Sequence, residues 1–139
     1  MPTNIVSTMV KQHRELQETA GEILELCSGE NSSEDIIKEL DKFKQNLNEH
    51  LKLENDEFYT GLLEQMEKAG QDTSKTKLFV EEMNAIEKVI LEFLKKYDSK
   101  ETIENNKDKF KQDFSEIAST LTLRVESEEA GVYSYWGLF

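Results

Sequence analysis

Two histidines, the only two in the chain, and two glutamates stand where chemistry could be done. In the stretch IIKELDKFKQNLNEHLKLENDEF the apolar residues Ile36, Leu40, Phe43 and Leu47 step by four, three and four, the seam of a helix that faces a core. The same stepping next reaches His50 and then Glu54. His13 falls in step with Met9, Leu16, Ala20, Ile23 and Cys27, and Glu128 with Phe110, Phe114, Ile117, Leu121, Arg124 and Val132. A surface-like distribution would put each polar residue on a seam only about two times in seven. A core position normally takes Leu or Ile, and an unpaired polar group there costs kilocalories, so something must offset the placement. A hydrogen-bonded network, a catalytic pair or a metal ion held between helices would each do so. Two imidazoles with one or two carboxylates suit iron, manganese or zinc, with iron favoured where a coordination position stays open for a small ligand.

The elements that must position these residues are long helices. The first is expected from about Thr3 to Cys27. The turn SGENSSED follows, with Ser32 or Ser33 able to cap a second helix that runs to about Ala69 and stops at Gly70. After the polar turn QDTSKT, a third helix carries Phe79, Met83, Ile86, Ile90, Phe93 and Tyr97 at the same spacing. Asp98 with Glu101 reads as a capping box for a fourth, which ends in the aromatic tail VYSYWGLF. The expected core includes Leu16, Ala20, Phe43, Leu47, Phe79, Ile86, Ile90, Phe114, Ile117 and Leu121. Four helices joined by short turns give an all-α, up-down-up-down antiparallel four-helix bundle, one domain over residues 1–139.

The two halves also align. Met9, His13, Leu16, Ala20 and Ile23 fall on Phe79, Met83, Ile86, Ile90 and Phe93, while His50, Glu54 and Tyr59 fall on Arg124, Glu128 and Tyr133. Any two heptad seams can be slid into register, so the informative part is a polar pair four apart followed by tyrosine five residues on, HLKLENDEFY against RVESEEAGVY. The chain reads as a duplicated helical hairpin. With pseudo-twofold symmetry, His13, His50, Glu54, Glu128, Met83 and Arg124 should meet at one level inside the bundle.

Composition narrows the functional classes. A net charge of −12, from 29 acidic against 17 basic residues, disfavours nucleic acid and anionic membranes and leaves an acidic surface as the face a protein partner would meet. The lone Cys27 forms no internal disulfide, and no cysteine cluster exists for zinc or an iron–sulfur centre. The first residues carry no apolar run behind basic ones, and no apolar stretch approaches the roughly 18 residues of a membrane span, so a cytoplasmic protein is expected. No Ser/His/Asp or Cys/His arrangement or phosphate loop supports catalysis, and no catalytic residue is assigned.

At its inward histidines and glutamates the chain resembles the hemerythrin-like (HHE cation-binding) family over nearly its whole length, from about Ile5 to Tyr133. That family's pattern is a histidine in helix 1, His-x-x-x-Glu in helix 2, a histidine in helix 3 and His-x-x-x-Glu in helix 4. The resemblance implies that His13 and His50 are metal ligands and that Glu54 and Glu128 are the carboxylates that bridge two irons. Met83 stands where the helix 3 histidine belongs and Arg124 where the helix 4 histidine belongs, so one half-site is kept and one is erased. The resemblance therefore implies non-haem iron, at most one per chain or none, and binding or sensing of a diatomic gas such as oxygen or nitric oxide, or iron handling. Tyr59 and Tyr133 are assigned to the surroundings of the ligands, packing with Tyr135 and Trp136 at a bundle end.

Arg124 brings a permanent positive charge, because a guanidinium does not deprotonate in a protein. Between Glu54 and Glu128 it would stand in for the missing metal, with Met83 filling the lost imidazole's volume. A slight rotation of the fourth helix would instead put Arg124 at the surface with Leu123 or Val125 facing in. Two outcomes follow. Either one metal survives at His13, His50 and Glu54, with Glu128 able to join, or the site is metal-free and the bundle serves as a regulatory or protein-interaction module. The biological partner and the oligomeric state are not written in the spacing.

Overall fold

A computed structural model describes residues 3–29 and 33–138 of the chain. Its described residues are helical, with no strand among them: α1 (Thr3–Ser28), α2 (Ser33–Leu53), a π-helical turn (Glu54–Tyr59), α3 (Thr60–Lys68), α4 (Ser74–Lys96), α5 (Lys100–Asn105), α6 (Lys107–Ala130) and a 3₁₀ turn (Val132–Tyr135). Among the described residues no helix is long and apolar enough to cross a membrane.

α2, the π turn and α3 follow one another without a break, so they form one rod, widened in the middle. That rod stops where expected: Gly70 has φ +72°, the left-handed conformation that glycine takes without a Cβ clash, and Gln71 N–H closes back on the Met66 carbonyl at 2.8 Å. The fourth rod departs from expectation twice. Its cap is Ser99, not Asp98: the Ser99 hydroxyl accepts from Thr102 N–H at 3.3 Å and pairs with the Thr102 hydroxyl at 2.9 Å, so a Ser/Thr pair replaces the anticipated Asp98–Glu101 box. The rod is also broken at Asn106, whose φ −138° and ψ 39° leave the helical region while its side-chain amide donates to the Thr102 carbonyl at 2.9 Å. Ser32, the alternative cap of the second helix, lies outside the described residues. Ser33 is the first residue of α2.

α1 packs along both α2 and α6, α4 packs on α6, and α5 packs on α2. The main apolar core gathers Leu16, Ala20, Ile23, Leu40, Phe43, Leu47, Ile90, Phe114, Ile117 and Leu121, with the rings of Phe93, Tyr97, Phe110 and Phe114 in mutual contact. Of the ten residues expected in the core, Phe79 and Ile86 are only half-buried. Each packs at the margin of a cluster, Ile86 against this core and Phe79 against the Met9–Phe58 cluster, where Phe79 also borders a small surface pocket with Lys75, Gly131 and Tyr135. α4 leans on α6, and its side facing the π turn and α3 borders an open groove of about 640 Å³ between Val80, Asn84 and Leu91 and the opposing Asn55, Tyr59 and Leu63. A second cluster, Met9, Phe58, Tyr59, Leu62, Met66, Val132 and Tyr133, lies beyond the first. His13 on α1 lies in sequence between residues of the two clusters, and His50, Glu54, Arg124 and Glu128 lie where the first cluster, ending at Leu51 and Val125, gives way to the second, so a polar layer sits at their junction.

Trp136 seals the second cluster, stacked on Phe58 with ring centroids 5.3 Å apart and lying against Gly61. A Cβ at Gly61 would come within 2.7 Å of the indole, so Gly61→Ala should push Trp136 toward solvent. Because Trp136 is the only tryptophan, a red-shifted fluorescence maximum in an otherwise folded variant would report the displacement, and an unshifted spectrum would contradict this packing.

Tyr97 gives a second test. Its ring is buried against Phe93 and Phe110, and its hydroxyl donates to Asp113 Oδ2 at 2.8 Å. Burial, with the bond to Asp113 and its charge, pushes the phenol from 10 up to about 12. The folded state thus keeps a proton that the unfolded chain releases, so this contribution is intact below pH 10 and is lost as pH rises toward 12. Tyr97→Phe should lower the neutral-pH denaturation midpoint by the loss of one hydrogen bond, about 1 kcal/mol, and flatten the alkaline decline. An equally steep decline in the variant would refute the assignment.

Candidate metal centre

The polar layer is assembled from three helical rods. His13 comes from α1, His50 from the last turn of α2, Glu54 from the start of the π turn, and Arg124 and Glu128 from α6. All five are buried. Rotation of α6 is settled by three consecutive residues: Leu123 is 64% exposed, whereas Arg124 is 3% and Val125 2% exposed. Arg124 therefore points inward, and Val125 joins the core beside it.

The guanidinium holds both carboxylates at once. Nη2 bonds Glu54 Oε1, Nε donates to Glu128 Oε2 at 3.3 Å, and Nη1 donates to the Met83 carbonyl at 3.3 Å. Met83 is buried on α4 and supplies a backbone acceptor here. The other oxygen of each carboxylate turns to the histidines: Glu128 Oε1 lies 3.2 Å from His13 Nε2, and Glu54 Oε2 lies 3.4 Å from His50 Nε2. The two Nε2 atoms approach to 3.1 Å. Tyr133 donates to Glu54 Oε2 at 2.6 Å, stacks on the His13 ring at 5.4 Å, and has its hydroxyl 3.1 Å from His13 Nε2. Tyr59 donates to Glu128 Oε2 at 2.8 Å and, on its other side, forms part of the groove wall under α4.

The electrostatics follow from two buried carboxylates sharing one guanidinium. For Glu54, burial alone would raise the pKa, but the His50 ring beside it and the charge of Arg124 reverse that and hold it well below the ordinary carboxylate range. Glu128 goes the other way, raised first by burial and then by the charge of Glu54, against the opposing influence of the nearby His13. Burial would depress His13, yet the carboxylates of Glu128 and Glu129 beside its two ring nitrogens leave it raised. Burial disfavours the Arg124 cation, but the charges of Glu128 and Glu54 outweigh it, so Arg124 stays charged. Both phenols are driven upward by burial and the adjacent carboxylates, so Tyr59 and Tyr133 remain neutral donors.

The donor set fits a metal ion. One ligand atom from each of His13, His50, Glu54 and Glu128 lies within 4.8 Å of the other three, all four residues buried. Glu128 Oε1 is buried without a hydrogen-bond donor. A cation held by His13, His50, Glu54 and Glu128 would give that oxygen a partner and offset the burial of a charged carboxylate. Two imidazoles and two carboxylates suit iron, manganese or zinc.

The hemerythrin HHE cation-binding domain model matches residues 4–136. The chain belongs to this family. No curated protein and no solved structure matches it. Within this hemerythrin-family chain, the residues singled out by spacing all come to one place: His13, His50, Glu54 and Glu128 as potential donors, Arg124 and the Met83 carbonyl beside the carboxylates, and Tyr59 and Tyr133 bonded to them.

Spacing missed three participants. Glu129 Oε2 lies 2.8 Å from His13 Nδ1, Arg14 clamps Glu129, and Gln12 Oε1 lies 2.8 Å from His50 Nδ1. Each adjoins a seam residue in sequence, so a helical repeat assigns it to the flank. Only the run of acids around Glu128 hinted at a further carboxylate. The π turn was missed too, although the five-residue step from Glu54 to Tyr59 was its trace.

Removing Arg124 should be costly, because two buried carboxylates would then face each other without a counter-ion. Arg124→Ala is expected to lose about 3–5 kcal/mol of stability, read as a lowered urea midpoint. An unchanged midpoint would mean that the guanidinium does not neutralise the pair.

Proposed function

We propose that this chain is a hemerythrin-like protein that holds at most one non-haem iron, through His13, His50, Glu54 and Glu128, and uses it to bind or sense a diatomic gas such as oxygen or nitric oxide, or to handle iron, in the cytoplasm. One observation carries the reading: each carboxylate gives one oxygen to Arg124 and the other to the histidine pair. The guanidinium thus occupies the side on which a second cation would sit, and the imidazoles offer lone pairs on the remaining side. When bound, iron would supply an open coordination position for a small ligand. The chain's own residues orient the donors, keep water out through the surrounding apolar clusters, and hold protons on Tyr59 and Tyr133 next to the carboxylates. In this proposal the four rods form an up-down-up-down antiparallel bundle, a single domain descended from a duplicated hairpin, with His50 over Arg124 and Glu54 over Glu128 when the halves are superposed.

A second reading rests on the extent of the polar network itself. With Arg124 and both tyrosines engaged, only Glu128 Oε1 lacks a partner among the described side-chain atoms of the layer. A metal-free bundle acting as a regulatory module, meeting a protein partner through its acidic surface, would need no more than a proton between the histidines.

Metal analysis and an absorption spectrum of protein made in iron-supplemented cells separate the two. At most one iron per chain is expected. Replacing Met83→His together with Arg124→His should raise uptake toward two. Two tightly held irons in the unaltered chain, with an oxo-bridge absorption band, would defeat the one-metal reading, and complete absence of metal would favour the module.

A further inference from the structure

The two imidazoles are backed by unlike groups. His13 Nδ1 faces Glu129 Oε2 at 2.8 Å, and Glu129 is itself clamped by Arg14, whose Nη1 and Nη2 donate to its two oxygens at 3.2 and 2.8 Å. His50 Nδ1 faces the amide oxygen of Gln12, also at 2.8 Å. Carboxylate and amide oxygens only accept, so both contacts require the N–H on Nδ1. A neutral imidazole carries one N–H, so each Nε2 is left with a lone pair. Those lone pairs point at one another across 3.1 Å, and each Nε2 also faces a carboxylate oxygen. Among the described residues the hydroxyl donor at the meeting point is Tyr133, and its proton is directed to Glu54 at 2.6 Å. Four acceptor atoms converge without enough protons to bind them to one another.

We infer that Glu129 and Gln12 are positioning residues that fix His13 and His50 as Nδ1–H tautomers, and that the charge of Glu129, relayed through His13, strengthens the centre's hold on a divalent cation. The inference rests on the metal reading above and adds to it the residues that set affinity. A carboxylate that accepts from Nδ1–H draws on that proton and enriches the opposite nitrogen, which a neutral amide does far less. His13 is accordingly the stronger ligand and His50 the weaker. Arg14 keeps the carboxylate turned toward the ring, and because Arg14 is exposed its own charge is screened by solvent.

Two measurements test this. In metal-free protein with both rings neutral, nitrogen NMR should show the Nδ1–H tautomer for both histidines, and Nε2–H on either would overturn the inference without reference to any metal. Titration with cobalt(II), read from its visible absorption, tests the charge. Glu129→Gln keeps an acceptor of the same size and should weaken cobalt binding by about tenfold to a hundredfold, while Gln12→Glu should tighten it. Cobalt uptake by the unaltered chain with equal affinity in Glu129→Gln would overturn this inference alone. No uptake by the unaltered chain would overturn the metal reading, and with it the role of Glu129 in affinity.

Discussion

Two carboxylates buried side by side would repel each other, and the shared guanidinium of Arg124 is what allows Glu54 and Glu128 to coexist in the core. Its planar fork has donors pointing in fixed directions, and three of them are used on three elements: the π turn through Glu54, α6 through Glu128, and α4 through the Met83 carbonyl. Apolar contacts would tolerate these rods sliding by a fraction of a turn. The fork does not, because a displaced carboxylate would lose its counter-ion while remaining buried. Such a triad adds little net stability over well-packed apolar side chains. Its effect is to fix which levels of the helices meet.

That fixed level explains the arrangement on either side. The polar layer separates the Phe43–Phe114 core from the Met9–Phe58–Tyr133 cluster. The second cluster must also deliver two phenols into the layer, and each follows its carboxylate by five residues where an α-helix would bring a neighbour back after about four. The two halves reach the same end differently. Between Glu54 and Tyr59 the helix widens into a π turn. After Glu128 the helix stops at Gly131, where a Cβ would meet the Ser127 carbonyl at 2.7 Å, and a 3₁₀ turn places Tyr133. Both devices turn a residue that α-helical phase would carry off the inner face back toward the carboxylates.

The periodic part of this architecture was legible in the sequence because burial on a helix is a repeat of three and four. Met9 through Ile23 on α1, Ile36 through Leu47 on α2 and Phe110 through Leu121 on α6 obey it, and the polar residues in the same phase are buried with them. Phe79 and Ile86 obey it too, yet are half-buried, because phase says which side of a helix faces inward and not how closely the neighbouring rod approaches. Glu129, Gln12 and Arg14 lie one step off phase and reach the histidines around the helix flank, which long side chains can do and periodicity cannot register. The break at Asn106 and the shift of the cap from Asp98 to Ser99 are decided by local hydrogen bonds among several equally suitable polar residues.

In the proposed reading, Met83 and Arg124 are one change from the family pattern rather than two. An arginine at 124 alone, opposite a histidine at 83, would set a permanent cation beside an imidazole and leave the two competing for the same carboxylate oxygens. A methionine at 83 alone would leave Glu54 and Glu128 with a histidine at 124 and an incomplete ligand set, so neither a full complement of metal nor a fixed charge would balance the carboxylates. Together the two residues close the site. Arg124 supplies the charge, and Met83 offers a buried apolar side chain and a backbone carbonyl for the guanidinium's remaining donor. The exchange also removes a degree of freedom. A bound metal leaves when its ligands are protonated or it is chelated, whereas the guanidinium is covalently part of α6 and stays charged, so this half of the polar layer carries a fixed cation and, in the proposed reading, an exchangeable one would sit on the histidine side.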